Sequence, residues 1–141
     1  MKITRDFVVA AFLVKDKKVL LVKHKKLKLW LPAGGHIDKD ETPEEATVRE
    51  VKEETGYDIN LNPEKFHKIK ILHPHHIEIH PIIEGHEHIC FVFFTKPIGG
   101  ELKVNPKEHD DVKWFSKEDL NKENIPIEVK TFAEQAIDEV K

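Results

Sequence analysis

The chain has 141 residues, 23 Lys and Arg against 26 Asp and Glu, and a net charge of −3 with histidine neutral. That length suits one domain, taken as residues 1–141, and 39% apolar with 35% charged residues describes a folded, soluble protein rather than a fibre, a membrane span or a disordered tail. Near-neutrality argues against a protein built mainly to coat nucleic acid, and neither a nucleic-acid nor a membrane partner is expected. A lone Cys90 cannot form an internal disulfide, which fits a reducing, cytoplasmic compartment.

Phe7 to Val14 (FVVAAFLV) follows two basic residues, yet the run is about half the length of a membrane helix and ends in KDKK rather than a small-residue cleavage pattern. It reads as a buried strand, paired as a hairpin with Val19 to Val22. After the basic KHKKLK comes Trp30 to Gly35 (WLPAGG), where Pro32 and paired glycines exclude helix and predict a shaped loop. A helix then has clear edges: Thr42 as N-cap, Pro43 at its first position, Glu45 completing a capping box, and Gly56 as the stop. Tyr57 to Pro97 alternates β-rich runs with Pro and Gly breaks and ends in a strand at His88 to Thr95. Asp111 to Phe115 predicts another strand, and Ser116 with Asp119 opens a short helix. A last helix from about Pro126 carries Val129, Phe132, Ala133, Ala136, Ile137 and Val140 in the stripe of a helix packed on a sheet. The expected fold class is α/β, a sandwich with helices covering a mixed sheet.

The helix between Thr42 and Gly56 carries the chemistry. At about 100° per residue, Val48, Val51 and Thr55 gather on one side and Glu50, Glu53 and Glu54 on another. These carboxylates are three and four residues apart and repel, each pair costing about 0.2–0.5 kcal/mol, with no Lys or Arg at the positions that would relieve them. A solvated acidic face is the ordinary reading of such a pattern. Crowded carboxylates beside a glycine-rich loop instead suggest a hard-oxygen cage for Mg²⁺, with Mn²⁺ as a substitute, and such ions point to phosphate chemistry.

Gly35 to Tyr57 (GHIDKDETPEEATVREVKEETGY) resembles the signature GX5EX7REUXEEXGU of the MutT-like Nudix hydrolases, supplying Gly35, Glu41, Arg49, Glu50, Val51, Glu53, Glu54 and Gly56 in place. Tyr57 stands where an aliphatic is usual, and a large ring fills the same packing role. The flanking Trp30 to Gly34 and Val112 to Phe115 resemble family context as well. The resemblance implies an α/β/α sandwich and an enzyme that hydrolyses a nucleoside diphosphate linked to another group. It also implies that Glu50, Glu53 and Glu54, helped by the Gly34 carbonyl, hold the divalent ions, and that a water of lowered pKa attacks phosphorus. Arg49, one of only two arginines, is suited to orienting two carboxylates, whereas Glu41 reads equally as a secondary ligand or as a charge near the helix N-terminus. Gly34 and Gly35 are assigned to backbone shape. For the general base Glu53 is favoured, with Glu87 the leading remote candidate ahead of Glu84 and Glu108.

Seven of the ten histidines fall between His67 and His88. Their spacing follows strand alternation and no zinc-finger pattern, and Cys90 is the only thiol, so His86 or His88 is expected to line the nucleotide site instead. The lysines between Lys23 and Lys28 read as a solvated loop or as a contact for substrate phosphate. Trp30, Phe94 and Trp114 are candidates to stack on a base, although strand aromatics usually belong to cores. The substrate class is a small-molecule nucleotide, and a homodimer is left open. Two rival readings are a catalytically silent nucleotide-binding sensor of the same fold and a histidine-rich zinc protein. The near-neutral total conceals segregation: Glu41 to Glu54 holds six acidic and two basic residues, a local −4, just after four lysines between Lys23 and Lys28.

Overall fold

The computed structural model describes residues 2–141. Its elements are β1 (Thr4–Lys15), β2 (Lys18–His24), β3 (Trp30–Leu31), β4 (Ala33–His36), α1 (Pro43–Thr55), β5 (Tyr57–Asp58), β6 (Glu64–Phe66), β7 (Ile69–Ile71), β8 (His76–Ile83), β9 (His86–Thr95), β10 (Gly99–Gly100), β11 (His109–Phe115), a 3₁₀ turn (Asp119–Asn121) and α2 (Ile127–Glu139). The main sheet runs β11-β2-β1-β9-β8, with β3 on β2 and β4 on β1. β1 and β9 are parallel while their other neighbours are antiparallel, so the sheet is mixed, as expected from the sequence.

Helices cover both faces. On one, α2 buries Ala133, Ala136 and Ile137 against Phe12, Val14, Leu21, Val92, Phe94 and Phe115. On the other, Val51 of α1 packs with Ala11, Leu13, Leu20, Ala33 and Ile59. Because strand side chains alternate, odd-numbered residues of β1 and β9 face α1 and even-numbered ones face α2.

One edge of β1 is divided. β2 pairs with Leu13 to Lys15 and β4 pairs with Val8 to Ala11, so β4 occupies the place beside β1 that β2 has left. The predicted loop at Trp30 to Gly35 is therefore two short strands, because its glycines meet a non-local partner that repays extended pairing. β1 likewise starts at Thr4 rather than Phe7, since Thr4 to Asp6 pair with His86 to His88 across the fold.

The predicted edges of α1 are present. Thr42 accepts from the Glu45 amide at 3.2 Å and Glu45 accepts from the Thr42 amide at 2.9 Å, while Gly56 closes the helix at φ 82°, a conformation other residues adopt only with strain. Its buried residues, however, are Ala46, Thr47, Val51, Glu54 and Thr55, whereas Val48 is 36% exposed. The helix is rotated from the expected pose because it leans on β4 as well as on β1, which turns Glu50 and Glu54 inward. Substituting the cap, Thr42→Ala, is expected to lower unfolding free energy by about 1 kcal/mol in urea titrations, since the amide it satisfies has no other partner in the helix.

Candidate active site

Arg49 organises the site. Its Nε and Nη2 donate to the two oxygens of Glu41 at 2.6 and 2.8 Å, and Nη1 donates to Glu50 at 2.8 Å and Glu53 at 3.3 Å. Nη2 also donates to the His36 carbonyl of β4 at 3.2 Å. One planar guanidinium thus ties the helix to the strand and spaces three carboxylates. It also supplies the relief that spacing alone did not reveal, because Arg49 lies four residues before Glu53 and beside Glu50. Glu41 is held below the ordinary carboxylate range chiefly by this hydrogen bonding, and accepts from the Asp38 amide at 2.9 Å. Beside the two readings left open for Glu41, a secondary ligand and a charge near the helix N-terminus, the structure shows a third role, as the anchor of Arg49.

The glycines of β4 let the carboxylates approach. A Cβ on Gly35 would lie 2.7 Å from Glu50 Oε1, so only a residue without a side chain fits there. The Gly34 amide donates to Glu54 Oε1 at 3.3 Å.

Glu54 is the unusual member. It is 3% exposed, and burial, reinforced by the adjacent Glu50, pushes its carboxyl up to about 10. A buried carboxyl beside another acid requires either a proton or a cation. Nearby, His109 Nε2 is 3.6 Å from Glu54 Oε1, and His109 Nδ1 is buried without a partner. Burial holds this imidazole below its usual range, in the neutral form. Glu54, Glu108 and His109 each bring a ligand atom within 4.8 Å of the others. With Glu50 hydrogen-bonded to Glu54, this oxygen-rich set fits a hard divalent cation.

His109 and Glu108 arrive from the start of β11, far from the signature in sequence. Glu108, one of the four acids that could serve as general base, is the remote one that lies at the carboxylates. Glu87 is engaged by Arg5 at 2.7 Å. His109 carried no motif, and its only signal is the step from a loop acid into a strand that begins opposite His24.

Other expected contributors lie elsewhere. Trp30 is 4% exposed and packs edge-on against Phe115 at 4.9 Å, so its ring is core and its faces are not open to a base. Phe94 is likewise buried in the α2-side core, and Trp114 leans on Tyr57 at 6.0 Å. His86 and His88 are on the α2 face, separated from the carboxylates by the sheet; burial first, then the neighbouring His36, lowers the His88 imidazole. Glu53 is half exposed and borders a cleft of about 460 Å³ lined also by Lys52, Gly56, Glu101 and Asn105.

The fold is thus an α/β sandwich in which a helix sets arginine-spaced carboxylates against glycine backbone. A family model of the NUDIX domain matches residues 4–135. The chain belongs to the NUDIX family. It is 42% identical over 116 residues to an ADP-ribose pyrophosphatase of Methanocaldococcus jannaschii, and 35% identical over 101 residues to a putative 8-oxo-dGTP diphosphatase of Bacillus subtilis. These matches cover 79% and 72% of this chain and 59% of each relative, so the chain spans about three fifths of their length. A crystal structure of a NUDIX-family hydrolase from Clostridium perfringens superposes with a TM-score of 0.80 at 36% identity, over 96% of this chain and 98% of that one. No described helix is long and apolar enough to cross a membrane.

The buried carboxyl makes stability depend on pH. An unfolded Glu54 loses its proton near the ordinary carboxylate range, whereas the metal-free folded protein retains it up to about 10, so between these limits the unfolded state binds fewer protons and folding weakens as pH rises. Thermal melting in chelator is expected to fall from about pH 7 to 8.5, above the range where His109 titrates, and Glu54→Gln is expected to flatten that slope. An unchanged slope in the variant would contradict the assignment.

Proposed function

We propose that this protein is a Mg²⁺-dependent pyrophosphohydrolase that cleaves a nucleoside diphosphate linked to another moiety, such as a nucleoside triphosphate or ADP-ribose. The observation that carries the reading is the pairing of a buried Glu54 with Glu50 under the Arg49 guanidinium, an arrangement of negative charge that is satisfied by a cation. The names of the relatives, which include an ADP-ribose pyrophosphatase, a putative 8-oxo-dGTP diphosphatase and, in Escherichia coli, a CTP pyrophosphohydrolase, support the bond type while differing in substrate.

Glu50 and Glu54, with the Gly34 carbonyl and Glu53, are the residues that would hold the ion. When bound, a divalent cation supplies charge that offsets the diphosphate and acidifies water. Arg49 is a positioning residue: it holds Glu50 and Glu53 in fixed relation by anchoring on Glu41. Glu53, half exposed, has the solvent access a general base needs, and Glu108 offers a second carboxylate beside Glu54. The neutral His109 packs beside Glu54 without adding charge.

The test is a panel of nucleoside triphosphates, nucleotide sugars, ADP-ribose, dinucleoside polyphosphates and coenzyme A with Mg²⁺, with released products identified. At least one member should be cleaved at a phosphoric anhydride. Glu53→Gln and Glu54→Gln should each lower kcat by about 10²-fold or more with the fold retained. Turnover at near-wild-type rates in both variants would sink the metal assignment, and failure of the whole panel would favour the binding-only sensor.

A further inference from the structure

On the α2 face of the sheet the core gives way to a histidine cluster. Val8 and Cys90 are the last buried residues there on β1 and β9, and two positions further out stand Asp6 and His88, directly paired across the parallel ladder. His80 of β8 is the register partner of His88, His86 follows on β9, and His36 comes from β4 opposite Val8. The rings of His36, His80 and His86 all lie within 5.2–5.5 Å of that of His88. Four strands therefore deliver four imidazoles and two carboxylates, Asp6 and Glu78, to one patch.

We propose that Asp6, His36, His86 and His88 form a transition-metal site, taking Zn²⁺, on the sheet face opposite the carboxylate helix. Tetrahedral zinc with bonds of about 2.0–2.1 Å separates its ligand atoms by about 3.4 Å. His36 Nε2 and His86 Nε2 stand 3.1 and 3.3 Å from the same Asp6 oxygen, close to that edge length. Ligand atoms of Asp6, His36 and His88 lie within 4.8 Å of one another, and rotation about the histidine side-chain bonds closes the remainder.

Partners behind the rings are placed as a metal site requires. The Thr4 hydroxyl lies 2.9 Å from His86 Nδ1 and 3.3 Å from the Gly85 carbonyl, so a hydrogen bond fixes the back of the His86 ring. Held at Nδ1, the ring keeps Nε2 on the side of Asp6, the nitrogen a metal would take. His80 pairs through Nδ1 with Glu78 at 2.5 Å, a carboxylate–imidazole unit standing beside His88. Imidazole nitrogen with a single carboxylate suits a borderline-soft ion, in contrast to the oxygen-rich site across the sheet. The linear sequence hides the set, since His36 and Asp6 lie outside the histidine-rich segment. Metal here would pin β4, whose glycines face Glu50 and Glu54 on the other side.

Co²⁺ is the probe, titrated into metal-free full-length protein with Mg²⁺ in large excess to occupy the carboxylates. The expected result is one equivalent of Co²⁺ with the intense visible bands of a tetrahedral, nitrogen-ligated ion, displaced by Zn²⁺, and a raised Tm with Zn²⁺. His36→Gln and His88→Gln should weaken binding at least tenfold, while Glu54→Gln keeps it. His36 is exposed, so its variant folds and decides the matter even if His88→Gln does not. Binding unchanged in His36→Gln, or lost in Glu54→Gln, would overturn the proposal, as would absence of a saturable tetrahedral spectrum.

Discussion

The site depends on a single guanidinium. Arg49 spends four donor contacts on Glu41, Glu50 and Glu53 and a fifth on the His36 carbonyl, so it is at once a crosslink between α1 and β4 and the spacer of the acidic cluster. Repulsion between carboxylates one helical turn apart is thereby turned into fixed geometry. A lysine, with one compact ammonium, could not make both contacts: the bidentate grip on Glu41 and the forward contact to Glu50 require the planar fork.

Everything around Arg49 allows that grip. The edge of β1 passes from β2 to β4, which brings two glycines against the helix at the height of Glu50 and Glu54. The capping box and Gly56 bound a helix long enough to carry the acids but anchored at both ends. The cost of the arrangement is concentrated in Glu54, buried beside Glu50 and an imidazole with an orphaned nitrogen. Such local destabilisation is characteristic of sites that exchange it for ligand binding.

Local signals made much of this legible. Thr42, Pro43, Glu45 and Gly56 delimit α1 through contacts within a few residues, and the apolar runs of β1 and β2 form a hairpin through a two-residue turn at Asp16 and Lys17. What remained hidden is non-local. Periodicity placed Glu54 with the solvent-facing acids, but α1 packs on β4 as well as β1, and that second contact buries it. Glu108 and His109 join the site only because β11 pairs with β2, a partner about ninety residues earlier. Trp30 is a candidate for stacking by its aromatic ring alone; pairing of β3 with β2 turns it onto Phe115. The same alternation that made His88 a plausible neighbour of the nucleotide sends it through the sheet to the far face.

The central claim is that Glu50 and Glu54 are held for a cation. Anomalous diffraction from a crystal soaked in Mn²⁺ addresses it directly. The account predicts a manganese peak in contact with both carboxylates, with Arg49 still gripping Glu41; a crystal with no peak at that position, or with manganese bound only elsewhere, would contradict it.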